Sequence, residues 1–198
     1  MMNKIIYIMS VGWFLIVQTN GFSQDYYTGN TMVTGDVSSF NVSLFTSPSS
    51  ISIGNKTIAL NSFVQIRLSN VNNCIVDVPI VFNSSGSTAT IEQAALYQAK
   101  IDSTSFGETV SSVISHNQLE LFQDNGVQLS AFFAIDSTNG ETLEVVFYLK
   151  GDTYNTHLRA FPVVLIEALE NAFKQNLTWI LPLSSSDVSY CVAEVRII

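Results

Sequence analysis

Alternating apolar and polar residues between Gln118 and Lys150 limit the folds open to this chain more than any other part of the sequence. Three segments there carry apolar residues at every second position or in short continuous runs, which is typical of strands. They are separated by Asp124-Asn125-Gly126 and by Asn139-Gly140, and Asn-Gly pairs favour the positive φ angles of tight turns. The sequence therefore predicts an antiparallel meander of Gln118–Gln123, Val127–Ile135 and Thr142–Lys150.

Other segments extend this pattern. Ile91–Lys100 is rich in helix formers, and Pro162–Gln175 places its apolar residues on one helical stripe, although its β-branched start also fits a strand. The elements together predict a mainly β fold, an immunoglobulin-like antiparallel β-sandwich with one or two packed α-helices. The additional strand candidates are Phe40–Phe45, Lys56–Leu60, Ser62–Leu68, Cys74–Phe82, Glu108–Ser115 and Val188–Ile198.

Residues 1–23 are expected to be a secretory signal peptide. Lys4 supplies its positive charge, Ile5–Val17 is an apolar run of 13 residues, and Gly21 and Ser23 are small residues before a cleavage at Gln24. A membrane anchor is the alternative, but this run is shorter than the roughly 18 residues that a span needs, and no other run reaches that length. We therefore expect a secreted or cell-surface protein with no membrane span after signal removal.

The rest of the chain is expected to form one domain, residues 40–198, preceded by an N-terminal arm at 24–39, because no repeat or linker divides it. Charged residues make up 12% and hydrophobic residues 47%, which is unlike a disordered chain. The 8 basic residues stand against 16 acidic ones, for a net charge of −8. No basic stripe is available for phosphates, so no nucleic-acid partner is expected.

The two cysteines outside the signal peptide are Cys74 and Cys191. An oxidising compartment and an even count favour a disulfide between them, and two buried free thiols are the alternative. The histidines, His116 and His157, lie far from each other in the sequence and have no neighbouring ligand set. We therefore predict no metal site and no cofactor.

No catalytic motif is present, neither a G-x-S-x-G elbow nor a phosphate-binding or dinucleotide-binding glycine loop. A glycosidase-type carboxylate pair is a spatial arrangement that no motif reveals, with Glu120, Glu144 and Glu194 as candidates. Each of them occupies a polar position of a strand-like segment, which favours a solvated face. The sequence is therefore expected not to encode an enzyme, and a secreted hydrolase is the least favoured hypothesis.

Several residues suggest an outward-facing surface that carries or binds glycans. Asp102-Ser103-Thr104 and Asp136-Ser137-Thr138 resemble the Asp-Ser/Thr acceptor of bacterial O-glycosylation systems, and four N-x-S/T sequons are present. Trp179 lies in an apolar stretch and is expected in the core. Candidate glycosylation sites are Ser103, Thr104, Ser137, Thr138, Asn41, Asn55, Asn83 and Asn176. Candidate residues for stacking on a glycan are Tyr26, Tyr27 and Tyr154.

An exported β-sandwich with few charges, no catalytic set and an N-terminal arm resembles the subunits of donor-strand-exchange pili. In such subunits the arm of a neighbour completes an immunoglobulin-like domain by β-augmentation. The resemblance implies a homopolymer whose donor stretch runs from Met32 to Leu44, although a specific pilin motif is absent and the chain has more helix than small pilins. The donor residues would be Val33, Val37, Phe40, Val42 and Leu44.

The alternative for this stretch is that Phe40–Phe45 is the first strand of its own domain, because neighbouring segments commonly pair locally. Two functional hypotheses lead. The first is a structural subunit of an extracellular fibre or pilus, which predicts concentration-dependent polymers. The second is a monomeric adhesin or glycan-binding module, which predicts a monomer that binds surface glycans.

Overall fold

The computed structural model describes residues 25–47, 50–53, 56–59, 63–152 and 155–198. The predicted signal peptide, the stacking candidate Tyr154 and the sequon residue Asn55 lie outside these residues. Among the helices that are described, none combines the length and the hydrophobicity needed to cross a membrane.

Most of the described strands belong to one antiparallel sheet. The strands are β1 (Met32–Thr34), β2 (Ser39–Ser47), β3 (Ser50–Ile53), β4 (Lys56–Ala59), β5 (Phe63–Asn70), β6 (Lys100–Ile101), β7 (Gln128–Asp136), β8 (Thr142–Asp152), β9 (Trp179–Ile180) and β10 (Tyr190–Arg196). The main sheet has six strands in the order β1-β2-β5-β8-β7-β10, and every neighbouring pair is antiparallel. Two small sheets are formed by β3 with β4 and by β6 with β9.

Five helices are described, and the two longest pack over one face of the main sheet. The helices are α1 (Ile91–Ala94, continued by a 3-10 turn at Ala95–Tyr97), α2 (Ser103–Val113), α3 (His116–Asp124), α4 (Thr156–Arg159) and α5 (Val163–Asn176). The ring of Phe173 on α5 lies 5.4 Å from that of Phe133 on β7 and 6.1 Å from that of Phe147 on β8, centroid to centroid. Phe106 on α2 stacks on Phe173 at 5.9 Å. We call this helix-covered side of the sheet the inner face.

The expected mainly β architecture with packed helices is confirmed, and the antiparallel sheets with helices are consistent with a β-sandwich that carries helices. The core lies between the inner face and the helices, since alternate residues of β5, β7 and β8 are fully buried there. Trp179 is buried as predicted, with its indole N–H donated to Thr142 Oγ1 at 2.9 Å. The predicted helix at Pro162–Gln175 is present as α5, with Pro162 at its N-cap.

The second and third strands of the predicted meander are present, and its first strand is a helix. β7 and β8 form a hairpin through Asn139-Gly140, where Gly140 has a φ of 77°. The expected strand Gln118–Gln123 is instead part of α3, where the backbone N–H of Ser115 donates to Gln118 Oε1 at 3.0 Å in a capping box. The Asp124-Asn125-Gly126 signal marks the end of this helix, with Gly126 at a φ of 67°.

Three further sequence-based elements differ from the structure. Glu108–Ser115 is not a strand, because α2 begins at an N-cap where Asp102 accepts the N–H groups of Thr104 and Ser105 at 2.9 and 3.0 Å. Cys74–Phe82 contains isolated bridges at Val81 and Phe82 but no strand. The expected helix Ile91–Lys100 ends early, in the 3-10 turn that leads into β6.

The described part of the predicted N-terminal arm lies against the domain. Tyr27 is buried and donates its hydroxyl to the carbonyl of Phe161 at 2.7 Å. At the turn between β1 and β2, the buried carboxylate of Glu167 on α5 accepts the backbone N–H groups of Asp36, Val37 and Ser38 at 2.6, 2.9 and 2.5 Å. Hydrogen bonds across more than 100 residues of sequence therefore hold this segment to the C-terminal half of the chain.

Candidate ligand-binding face

The side of the main sheet opposite the helices, which we call the outer face, carries the best candidate site. One row across four strands consists of Arg67, Tyr148, Ser130 and Arg196, which are register partners from β5 to β10. The next row holds Gln65, Lys150 and Gln128. With neighbouring strands about 4.8 Å apart, the first row spans roughly 14 Å.

One end of the outer face is covered and the other is open. Residues 73–78 lie over the covered end, where the buried carboxylate of Glu144 accepts the backbone N–H groups of Cys74, Ile75 and Val76 at 2.6, 2.8 and 2.8 Å. Asn73 donates to the carbonyl of Val145 at 2.9 Å in the same region. Asp77 of the same segment reaches the row of Tyr148, where it pairs with Arg67. No segment of this kind covers the row of Lys150 among the described residues, and Tyr148 and Lys150 are half-buried.

A cavity of about 310 Å³ lies at the open end of the outer face. We call it the Lys150–Arg196 groove. It opens between the end of β8, the start of β7 and the end of β10. Its lining consists of Gln128, Leu129, Ser130, Lys150, Glu194 and Arg196.

The outer face carries cationic side chains beside carboxylates, among them Glu194 and Asp77. Arg67, Lys150 and Arg196 are three of the 8 basic residues in a chain of net charge −8. Arg67 is held by Asp77 at 2.6 Å and by Tyr148. Among the described residues, Lys150 makes no ion pair, and Arg196 donates its Nε to the carbonyl of Ile198 at 2.9 Å.

The Ser130 hydroxyl lies between these cations. Its Oγ is buried, yet it has no hydrogen-bond partner among the described residues. Leaving a buried hydroxyl unpaired costs about 1–3 kcal/mol. A ligand atom that offered or accepted a hydrogen bond in the groove would remove this cost.

Tyr26 and Tyr27 were expected from the sequence to stack on a glycan. Tyr27 is buried in the core and Tyr26 is half-buried beside it, with ring centroids 6.2 Å apart, so the two rings do not form a platform together. Tyr148, which lies on the outer face, was missed. The signal was present, because alternation along β8 places Tyr148 and Lys150 on the side opposite Phe147.

The three candidate carboxylates do not come together. Glu120 is exposed on α3, 3.1 Å from His116. Glu144 is engaged by the three N–H groups at the covered end. Glu194 lines the Lys150–Arg196 groove. It is separated from Glu144 by two strand intervals, about 10 Å, and by two residues along the strand direction. This arrangement supplies no acid–base pair within the described residues.

The cysteines and histidines are dispersed as well. Cys74 and Cys191 are unpaired in the structure, where Cys74 is exposed and Cys191 is buried on β10, so the expected disulfide is not formed. His116 is exposed on α3, and His157 belongs to α4. No group of three or more metal-binding side chains exists in the part of the chain that the structure describes.

The glycosylation candidates occupy different environments. Asp102 and Asp136 act as caps, since Asp136 Oδ1 accepts the backbone N–H groups of Thr138 and Asn139 at 2.7 and 3.1 Å. Ser137 is buried and donates to the carbonyl of Val188 at 2.8 Å, so its hydroxyl is not accessible for modification. The exposed candidates are Ser103, Thr104, Thr138, Asn41, Asn83 and Asn176.

The predicted donor stretch pairs within its own chain. Phe40–Phe45 belongs to β2, which is hydrogen-bonded to β1 on one side and to β5 on the other. Val33, Phe40 and Val42 are buried in the core, whereas Val37 and Leu44 are 90% and 48% exposed. The structure thus contains the own-domain strand that was the alternative to a donor strand.

Comparison with known proteins yields a fold and no family. No protein-family model matches the chain, and a search of curated proteins gives no match. The chain is similar in structure to a DUF5043 family protein from Bacteroides uniformis, with a TM-score of 0.52 and 12% sequence identity. The likeness covers 76% of this chain and 84% of the other. At this identity it shows a shared fold alone.

Proposed function

We propose that this protein is a secreted, non-catalytic module that binds an extracellular glycan on its outer face. The observation that carries the proposal is the polar row of Arg67, Tyr148, Ser130 and Arg196 on the face of the main sheet opposite the helices. Sugars are bound by aromatic rings that contact their apolar faces and by polar side chains that pair with their hydroxyls. Gln65 and Gln128 in the next row add amide donors and acceptors.

The predicted signal peptide supports the extracellular location in this proposal. The dispersed carboxylates support binding without catalysis, because acid–base hydrolysis of a glycosidic bond uses two carboxyl groups within about 10 Å on either side of that bond. Glu144, which lies nearest to such an arrangement with Glu194, is occupied by backbone N–H groups.

The proposal is tested by screening the purified protein on a glycan array. Tyr148→Ala is expected to abolish or strongly weaken binding, because it removes the aromatic surface at the centre of the row. Tyr26→Ala is the matched control, since Tyr26 is also half-buried but lies at the N-terminal segment. Equal binding by both variants, with unchanged melting temperatures, would place the site elsewhere.

A fibre subunit is a second candidate, and the edge of β2 favours it. β1 pairs only with Ser39–Asn41. Beyond β1, from Ser43 to Ser47, the same edge of β2 has no partner strand among the described residues. Leu44 and Phe45 are 48% and 55% exposed on this open stretch. An open apolar edge is suited to adding a strand from another copy.

Negative-stain electron microscopy of the concentrated protein tests this second candidate. Fibres that disappear in Phe45→Lys, and persist in the exposed control Val164→Lys on α5, would support strand addition at β2. Monomers at every concentration would remove the fibre proposal. Deletion of the N-terminal strands is unsuitable, because the buried Phe40 and Val42 would be lost with them.

A further inference from the structure

We propose that the glycan bound by this protein is acidic, and that its carboxylate or sulfate group lies in the Lys150–Arg196 groove. This inference rests on the proposed function and adds the chemical class of the ligand. The groove combines two cationic side chains, an unpartnered buried hydroxyl and an amide within one cavity. Those groups are all able to donate hydrogen bonds to an anion.

Lys150 in the groove is available, unlike three other basic side chains of the described residues. Arg159 lies 3.4 Å from Asp25, Lys174 lies 2.7 Å from Glu170, and Arg67 lies 2.6 Å from Asp77. Lys150 has no carboxylate partner of this kind among the described residues. An anionic group would therefore not have to displace an existing ion pair from Lys150.

The register places the donors around one point. Ser130 is the direct partner of Arg196 on β10, and Gln128 is the direct partner of Lys150 on β8. Ser130 and Gln128 are two residues apart on β7, so they point to the same side. An anion between the two rows can therefore be contacted from three strands at once.

The size of the groove favours one sugar unit. Its volume of about 310 Å³ is at the lower limit of small-molecule sites, which range from roughly 300 to 1,000 Å³. The net charge of −8 opposes a dense polyanion, whereas a single anionic substituent is influenced mainly by the nearest charges. The ligand class is thus a glycan with isolated acidic groups.

Glu194 refines this specificity. Its carboxylate lines the same groove and lies two residues from Arg196 on β10. It can accept hydrogen bonds from sugar hydroxyls, and it repels a second anion. Asp152, two residues after Lys150 on β8, adds negative charge beyond the groove lining. Replacement of Glu194 by Gln is therefore expected to strengthen the binding of a carboxylate ligand several-fold.

Isothermal titration of the full chain with three matched oligosaccharides tests the inference. The probes are a galacturonic acid oligomer, a sulfated galactose oligomer and the neutral galactose oligomer. In Lys150→Ala, the affinity for the acidic probe that the wild type binds is expected to fall about tenfold or more. This is the loss typical of one charge-assisted hydrogen bond. Lys100→Ala, an exposed lysine on β6, is the matched control and should bind as the wild type does.

The outcomes separate the two proposals. Preference for one acidic probe, with loss in Lys150→Ala and a gain in Glu194→Gln, supports the inference, and the preferred probe identifies the anion as a carboxylate or a sulfate. Equal binding of neutral and acidic oligomers, or unchanged affinity in Lys150→Ala, overturns the inference and leaves the glycan-binding module in place. Absence of binding to any glycan on the array overturns both.

Discussion

Glu167 shows how a buried charge can hold a turn. Its carboxylate accepts three backbone N–H groups from Asp36, Val37 and Ser38, and Gly35 approaches so closely that a Cβ there would collide with Oε2. Burial acts to raise the pKa of Glu167, but the hydrogen bonds from these N–H groups outweigh it and hold the pKa below its usual value of 4.5.

We expect Glu167→Gln to destabilise the fold by about 1–3 kcal/mol, since the amide turns a donor toward the N–H groups. Because the folded pKa is lowered, the contribution of Glu167 is present above pH 4.5 and is lost as the pH falls further. Urea unfolding at pH 7 and at pH 3.5 measures both effects. Glu141→Gln, at an exposed position, is the control, and equal stability of the two variants would contradict the role of Glu167.

The thiols offer a second test on single residues. Burial, together with Asp136, raises the pKa of Cys191 to about 11, and a hydrogen bond to Glu144 raises the pKa of Cys74. We expect one slowly reacting thiol in the native protein and two after denaturation, measured with a chromogenic disulfide reagent. Cys74→Ser should remove the native signal. A denatured protein without thiols would show that Cys74 and Cys191 are bridged after all.

Helices and strands of this chain differ in how far the sequence predicts them. β7 and β8 were predicted because each alternates and Asn139-Gly140 connects them. Residues 118–123 were assigned the wrong period. Leu119 and Leu121 are two apart, as on one face of a strand, whereas Leu119 and Phe122 are three apart, as on one face of a helix. Only contact with the rest of the fold decides, and Phe122 packs on Phe161 with centroids 4.5 Å apart.

The packing of α5 on the inner face can be measured through Phe173, which contacts α2, β7 and β8. We expect Phe173→Ala to cost about 3–5 kcal/mol, because it leaves a cavity where four rings meet. Val164→Ala on the same helix is the control, since Val164 is 45% exposed. Thermal and chemical denaturation give the comparison, and a loss below 1 kcal/mol for Phe173→Ala would contradict its central position.

For the whole molecule, the pattern of strand and helix segments predicted the fold class but not the site. Near-continuous apolar runs such as those in β7 and β8 are typical of strands covered on both faces. Residues 73–78 cover only the end near Glu144, and the end at Lys150 stays open. Which end is covered depends on the path of a segment that has no regular structure, and periodicity contains no information about that path.

The proposed binding of an acidic glycan would depend on salt through the distribution of charge over the whole molecule. We expect affinity for an acidic oligosaccharide to fall roughly threefold to tenfold between 50 mM and 500 mM NaCl, because partly exposed cations are screened. A neutral oligosaccharide should be unaffected over this range. A loss of several hundredfold, measured by the same titrations, would instead indicate many simultaneous ion contacts.

The contact between Glu167 and the turn at Asp36–Ser38 also determines when the first hairpin can pack against the rest of the fold. During synthesis, the turn at Asp36–Ser38 is made about 130 residues before Glu167, which accepts its hydrogen bonds. The first hairpin therefore cannot settle on the domain until α5 has been synthesised. Such long-range closure slows folding. The hairpin of β1 and β2 is therefore among the last parts of the chain to gain its contacts with the rest of the fold.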